Sequence, residues 1–185
     1  MAESREYLRD AIMVHGDRAL PYLYLAHSSG LIANGIVADL AFQEAIRRGD
    51  NMPVLHNDYG NFLQRSARLR EAIAQYDLAL KLDPKNADML SNLGSAAYKA
   101  KEYEKAIVAL RGAVGVNPTH TRAHTTLGLA LEGSGKWEEA RKSFEEAVKV
   151  APTVPYTEVS RKRLEEKAAP NLEELQLEQG GSIKS

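Results

Sequence analysis

The chain has 185 residues, of which 44% are apolar, 26% charged and 6% aromatic, so a packed core is expected rather than wholesale disorder. Its 24 lysines and arginines nearly balance 25 aspartates and glutamates, which argues against a general nucleic-acid binder. The lack of cysteine excludes disulfides and thiolate metal sites and is compatible with a reducing compartment. Since no stretch of about 18 apolar residues could span a membrane, a cytoplasmic protein is predicted.

Several residue types recur at a constant spacing of 34 residues. The recurring columns are a proline, a glycine, and a large side chain between two alanines: Pro84, Pro118 and Pro152; Gly60, Gly94 and Gly128; Tyr76, Leu110 and Phe144. Because these columns keep one period over three copies, chance is a poor explanation, and the sequence predicts an internal structural repeat.

In chain order, the columns divide the sequence into repeat units. Residues 4–15 are predicted to be a helix, the second half of an incomplete copy within 1–18. Residues 19–52 are a degenerate copy, because Ala38, Phe42 and Ala45 fall in the alanine and large-residue columns. Three full copies are then predicted at 53–86, 87–120 and 121–154.

The C-terminal region departs from the repeat. Arg161 and Lys162 fall where the pattern requires leucine and glycine, so residues 155–169 are predicted to form a capping helix with a polar outer face. Residues 170–185 offer little to pack and contain Gly180-Gly181, so they are predicted to be a disordered tail.

Each full copy is predicted to form two helices. Within 121–154, apolar residues lie three or four apart, Gly133-Ser134-Gly135 forms a turn, and Pro152 follows the second helix. A glycine inside a helix costs about 1 kcal/mol relative to alanine, so the glycine column predicts close approach by another helix backbone. The large side chains of the second helices are expected to fill the space left between neighbours.

The pattern is similar to the tetratricopeptide repeat (TPR) family, whose motif is W-x2-L-G-x2-Y, A-x3-F and P within 34 residues. It occurs as Leu93-Gly94, Ala106, Leu110 and Pro118, and again as Leu127-Gly128, Ala140, Phe144 and Pro152, although no copy has the first-column tryptophan. The resemblance implies an all-α fold, a right-handed α-α superhelix of helix–turn–helix repeats with a C-terminal capping helix.

By the same resemblance, positions two, five, nine, twelve and thirteen of each first helix line a concave groove. Ser91 and Thr125, at position five, are therefore expected in the groove wall. The N-terminal end of the groove is expected to be apolar because it holds Leu20, Leu23 and Leu31. With Asn92 at position six, the candidate peptide-binding residues are Leu23, His27, Asn57, Asn61, Arg65, Asn92, Ser95, Lys99, Arg122 and Leu129.

The polar part of this groove suits an extended peptide. An asparagine amide can donate to a peptide carbonyl and accept from a peptide N–H at once. Arg65, Lys99 and Arg122 could hold a carboxylate through charge-assisted hydrogen bonds. Compared with the five-residue carboxylate clamp of TPR co-chaperones, however, Asn57 replaces a lysine and Thr126 an arginine, so two cations are missing.

No catalytic motif accompanies the repeat: the chain has no glycine-rich phosphate loop, no GxSxG and no HExxH. His120 and His124 lie four apart without an acidic ligand at matching spacing, and Glu138-Glu139 and Glu145-Glu146 are interpreted as a solvated face paired with Lys142 and Lys149. The chain is therefore predicted to be no enzyme and to need no metal or cofactor.

The sequence thus predicts a non-catalytic adaptor or scaffold that binds a partner protein or peptide in its groove. One alternative is a self-associating structural scaffold, a homo-oligomer formed through exposed ends of the superhelix, for example through Leu8, Ile12 and Val14. A less favoured alternative is a co-chaperone with a partial carboxylate clamp. Neither nucleic acid nor a membrane is an expected partner.

Overall fold

A computed structural model describes residues 22, 24, 25, 35–49, 52–153 and 155–168. The described backbone is helical, with no strand, and includes eight complete helices. They are α1 (Gly35–Arg48), α2 (Pro53–Arg65), α3 (Leu69–Leu82), α4 (Ala87–Lys99), α5 (Tyr103–Val116), α6 (Thr121–Gly133), α7 (Trp137–Val150) and α8 (Pro155–Ala168). Tyr22, Tyr24 and Leu25 also have helical backbone. The predicted helix at 4–15 and the tail at 170–185 lie outside the described residues.

The helix boundaries follow the 34-residue period. The first helices α2, α4 and α6 begin at 53, 87 and 121, and the second helices α3, α5 and α7 begin at 69, 103 and 137. Helix α8 begins at 155, one further period after α6, and α1 begins one period before α3. The two outer helices therefore occupy repeat positions even though their sequences match the pattern poorly.

The helices pack as antiparallel hairpins that stack on one another. Within a hairpin the two helices are in contact, each second helix contacts the next first helix, and successive first helices also touch. Helix α8 packs against both α6 and α7, where the first helix of a further hairpin would lie. The prediction of an all-α superhelix with a C-terminal capping helix is confirmed over the described residues.

The alanines of the repeat lie in the buried core. Ala72, Ala106 and Ala140 are completely buried on the second helices, and Ala38 is buried at the corresponding place in α1. Phe42 stacks on Tyr59 of α2, with ring centroids 5.1 Å apart. The degenerate copy thus joins the same core through the columns that it keeps.

The glycine column is covered by a side chain rather than by a helix backbone. A Cβ atom on Gly60 would lie 2.6 Å from Cε1 of Tyr76, and one on Gly128 would collide with the ring of Phe144. The expected close approach occurs, but it is made by the large residue of the second helix within the same hairpin. The glycine and the large residue are one unit of packing, which explains why they recur together.

Each first helix ends in the same turn. Ala67, Lys101 and Gly135 have positive φ angles of 59°, 63° and 80° and are again 34 residues apart. In the first turn Arg68 N–H donates to the carbonyl of Leu63 and Ala67 N–H donates to that of Gln64, the two hydrogen bonds of a Schellman motif. This turn sets the angle at which the second helix folds back on the first.

Candidate functional site

Eight of the ten predicted groove residues lie within the described part of the chain, all on first helices. Asn57, Asn61 and Arg65 are on α2, Asn92, Ser95 and Lys99 on α4, and Arg122 and Leu129 on α6. Leu23 and His27 lie outside the described residues, as do Leu20 and Leu31 of the predicted apolar end. For these four the assignment stays a prediction.

Three of the residues form a chain of hydrogen bonds across three successive first helices. Asn92 Nδ2 donates to Asn57 Oδ1 over 2.9 Å, and Arg122 Nη2 donates to Asn92 Oδ1 over 2.8 Å. Asn57 Nδ2 lies 3.3 Å from Asp58 Oδ1, to which it donates. All of these side chains are half-buried, so the network is partly desolvated and still accessible from the groove.

The network fixes the orientation of the central amide. Because a guanidinium only donates, the atom of Asn92 that faces Arg122 must be its oxygen, and the nitrogen must then face Asn57. One N–H of the Asn92 amide and several N–H groups of Arg122 are not used by these bonds. The network can therefore offer donors in fixed directions to a ligand that lies over it.

Tyr76 is a core residue, as the sequence predicts, that also contacts two side chains of the groove positions. Its ring is fully buried, but its hydroxyl donates to Asn61 Oδ1 at 2.9 Å and lies 3.1 Å from Gln64 Oε1. Burial raises the pKa of Tyr76, and the positive charges of Arg122 and Arg65 oppose that rise. The hydroxyl thus lies within electrostatic reach of both arginines. The sequence offers one clue to these polar contacts: Tyr76 carries a hydroxyl in a column that otherwise holds leucine and phenylalanine.

Arg65 and Lys99 are the two exposed cations of the candidate site. Arg65 is the last residue of α2 and Lys99 the last of α4, so they share one column. Neither forms an ion pair with any described residue. In the third hairpin that column holds Gly133, where an added Cβ would lie 2.6 Å from the ring of Tyr103.

Other groove positions face the protein itself. Leu129 is half-buried and packs against the core, and Ser95 is half-buried on α4. At position five, Ser91 and Thr125 are buried, and Thr125 Oγ1 meets the Tyr156 carbonyl at 3.2 Å and Ser160 Oγ at 3.1 Å. Their assignment to the groove wall was wrong because both side chains are buried, whereas Asn57, at the same position of α2, is half-buried and stays a groove candidate.

The structure shows how the chain differs from the carboxylate clamp at residue 126. Thr126, which stands where the clamp has an arginine, is buried and donates its hydroxyl to the carbonyl of Arg122 at 2.8 Å. It presents no charge to a ligand.

Several other titratable residues have structural contacts. His120 caps α6 by accepting from Ala123 N–H, and its Nε2 lies 3.2 Å from Asp88. On α7, Arg141 rather than Lys142 pairs with Glu145, and Lys149 pairs with Glu146 as predicted. In the described ranges no three metal-ligating side chains cluster, and no helix is both long and apolar enough to cross a bilayer.

Comparison with known proteins places these features in a family context. Residues 66–147 match the family model described as anaphase-promoting complex, cyclosome, subunit 3. The small glutamine-rich tetratricopeptide repeat-containing protein 2 of Mycosarcoma maydis is 29% identical over 62% of the chain and 30% of its own length. Curated relatives such as this one are covered by the match over less than a third of their length.

Solved structures share the fold. MamA superposes with a TM-score of 0.73 at 22% identity, covering 78% of this chain and 85% of MamA, a likeness that concerns the fold alone. A structure of the APC/C hetero-tetramer Cut9–Hcn1 matches with a TM-score of 0.68 at 25% identity, over 80% of this chain and 30% of the matched chain.

Proposed function

Because this chain is a tetratricopeptide repeat protein, we propose that it is a non-catalytic adaptor that binds an extended segment of a partner protein along its first helices. The Cut9 structure, a hetero-tetramer with Hcn1, and the family model of an anaphase-promoting complex subunit both belong to protein assemblies, which supports this class of function. A protein partner and a cytoplasmic location are both parts of the proposal.

The observation that carries the proposal is the Asn57–Asn92–Arg122 network. Core packing requires apolar or small residues, so three polar side chains linked across three helices have no role in the hydrophobic core. An extended peptide exposes a donor and an acceptor at each residue, and amide side chains can match both. Arg122 adds a charge-assisted donor beside the central amide.

Affinity capture from native lysate, with the full chain and three variants as baits, tests the proposal. We expect Asn92→Ala and Arg122→Glu to lose partners that the wild type retains, because each removes a donor from the network. Lys85→Glu is a matched charge change at an exposed turn position outside the groove, and it should retain those partners. Thermal unfolding of each bait excludes simple loss of the fold.

If both groove variants retain every partner of the wild type while remaining folded, the groove is not the binding surface and the proposal is wrong. If they lose partners only to the extent that their melting temperatures fall, the network is structural, and the proposal is equally wrong.

A second candidate function, self-association, is favoured by one observation. Helix α1 exposes two large apolar side chains, Ile36 at 77% and Leu40 at 60%. Exposed apolar side chains of this kind on one helix are suited to contact with another copy of the chain. Sedimentation velocity over a wide concentration range should then show reversible association that Ile36→Glu abolishes, whereas a strict monomer would contradict this candidate.

A further inference from the structure

The two cations in the shared column are available to a ligand. Arg65 and Lys99 are both exposed, and most other cations on the described helices, such as Arg68, Lys105 and Arg111, already pair with carboxylates. The asparagine network and the cation column share helices α2 and α4, so a peptide that crosses these two helices can contact both.

The spacing of the two cations follows from helix packing. Helices α2 and α4 are in direct contact through the 2.9 Å hydrogen bond between Asn92 and Asn57. Neighbouring packed helices have axes about 8–10 Å apart, so equivalent residues on them are separated by about that distance. In a polyproline II segment, side chains three residues apart point the same way and are about 9.3 Å apart. In a β-strand, residues three apart face opposite sides.

The third hairpin interrupts the column of cations. Gly133 replaces the cation there and lies beneath the ring of Tyr103, and the preceding Glu132 pairs with Arg163 of α8 at 3.4 Å. Within α2, α4 and α6 the column therefore holds two cations; the next one, Lys167 of α8, is separated from them by Gly133 and lies 5.7 Å from the centroid of the Trp137 ring.

We propose that the bound peptide is polyproline II-like and carries two acidic side chains at positions i and i+3, which pair with Arg65 and Lys99. This inference rests on the proposed peptide-binding function and specifies its ligand class. The contact is made to side chains within the peptide, so it needs no free C-terminal carboxylate, and the missing cations of the clamp do not weaken it.

The test uses a display library of 12 random residues, flanked by linkers on both sides so that no peptide ends in a free carboxylate. It is selected against the full chain, against the Arg65→Glu/Lys99→Glu double variant, and against Lys85→Glu as a control charge reversal outside the groove. We expect wild type and the Lys85 variant to enrich peptides with Asp or Glu at i and i+3, and the double variant to enrich Lys or Arg at that spacing.

Synthetic peptides from the selection give the magnitude. Each reversed cation should weaken binding of an i, i+3 acidic peptide by about fivefold at low salt, and by less at high salt, since exposed ion pairs are weak and screened. Moving one acidic residue to i+1, or changing it to glutamine, should have a similar cost.

The outcomes separate this inference from the function on which it rests. If selected peptides need Asn92, as judged by Asn92→Ala, but lack the acidic pair and ignore Arg65→Glu/Lys99→Glu, the ligand class is wrong and the groove function stands. If no peptide is enriched on any bait, or if enriched peptides ignore Asn92→Ala and the cation variant alike, both proposals are overturned.

Discussion

Gly128 and Phe144 form a tightly fitted pair in the core. The ring of Phe144 is fully buried and occupies the space that a Cβ on residue 128 would need. Gly115 in α5 has the opposite surroundings, with no atom within 4 Å of an added Cβ. The same substitution should therefore have opposite effects at the two positions.

We expect Gly128→Ala to lower the free energy of unfolding by about 1–2 kcal/mol, because overpacking outweighs the helix propensity of alanine. Gly115→Ala should raise the free energy by about 0.5 kcal/mol, since only the propensity changes. Urea unfolding of both variants measures the difference. Equal effects at both positions would contradict the packing role of the glycine column.

The buried hydroxyl of Tyr76 makes stability depend on pH in the alkaline range. Its pKa is raised in the folded chain, whereas in the unfolded chain it titrates near the ordinary value of about 10. Above that pH the unfolded state loses the proton and the folded state keeps it, so ionisation favours unfolding. The contribution is fully present below about pH 10 and decreases as the pH rises.

Tyr76→Phe removes this contribution together with the hydrogen bonds to Asn61 and Gln64. At pH 8 the free energy of unfolding of the wild type should exceed that of the variant by about 1 kcal/mol. At pH 11 this difference should be smaller by about 1 kcal/mol, so that it nearly vanishes. Urea unfolding of both proteins at the two pH values checks it, since their other groups titrate alike. An advantage that does not change with pH would show that the phenol is not protected from ionisation.

At the scale of the element, the turn between paired helices has a residue preference that one of the three fully described hairpins satisfies. The positive φ position holds Gly135 in the third hairpin but Ala67 and Lys101 in the others. A left-handed conformation costs a residue with a side chain about 1 kcal/mol or more, whereas glycine adopts it readily.

We expect Lys101→Gly to stabilise the chain by about 0.5 kcal/mol, after allowance for the greater freedom of glycine in the unfolded state. Lys142→Gly is the control, because it removes the same charge from an exposed position inside α7 and should cost about 1 kcal/mol. Thermal unfolding of the two variants should therefore shift in opposite directions. A loss of stability in both would mean that the turn at Lys101 relaxes without strain.

Pairs of oppositely charged residues link successive second helices. Asp77 of α3 pairs with Lys105 of α5, and one period later Arg111 pairs with Glu139 of α7. The two pairs occupy the same columns with their charges reversed. A pairing of α3 directly with α7 would bring Asp77 to Glu139, so the reversal disfavours stacking in the wrong order.

At the scale of the whole molecule, stability should vary along the stack. Helices α4 and α5 have packed neighbours on both sides, whereas α8, among the described helices, contacts only α6 and α7, and it meets α6 partly through hydroxyl contacts at Thr125. In a repeat protein, stability is close to a sum of local and nearest-neighbour contributions.

Hydrogen–deuterium exchange followed by mass spectrometry should accordingly show the slowest exchange in α4 and α5 and faster exchange in α8. Gly128→Ala should accelerate exchange in α6 and α7 more than in α2 and α3, because its effect passes through neighbouring contacts. Uniform protection along the chain, or uniform loss in the variant, would mean that the stack unfolds as one cooperative unit.

The sequence by itself determined the helical repeat, its period and the buried columns, since each depends on which residue type recurs at which position. Tertiary structure alone decided which groups meet. Asn57, Asn92 and Arg122 are 35 and 30 residues apart along the chain, and their hydrogen bonds depend on side-chain rotamers and on how closely successive first helices pack. The same holds for the contact of Phe144 with Gly128 and for the burial of Ser91 and Thr125. A residue's position in the repeat predicts which way its side chain points, but not which side chain it meets.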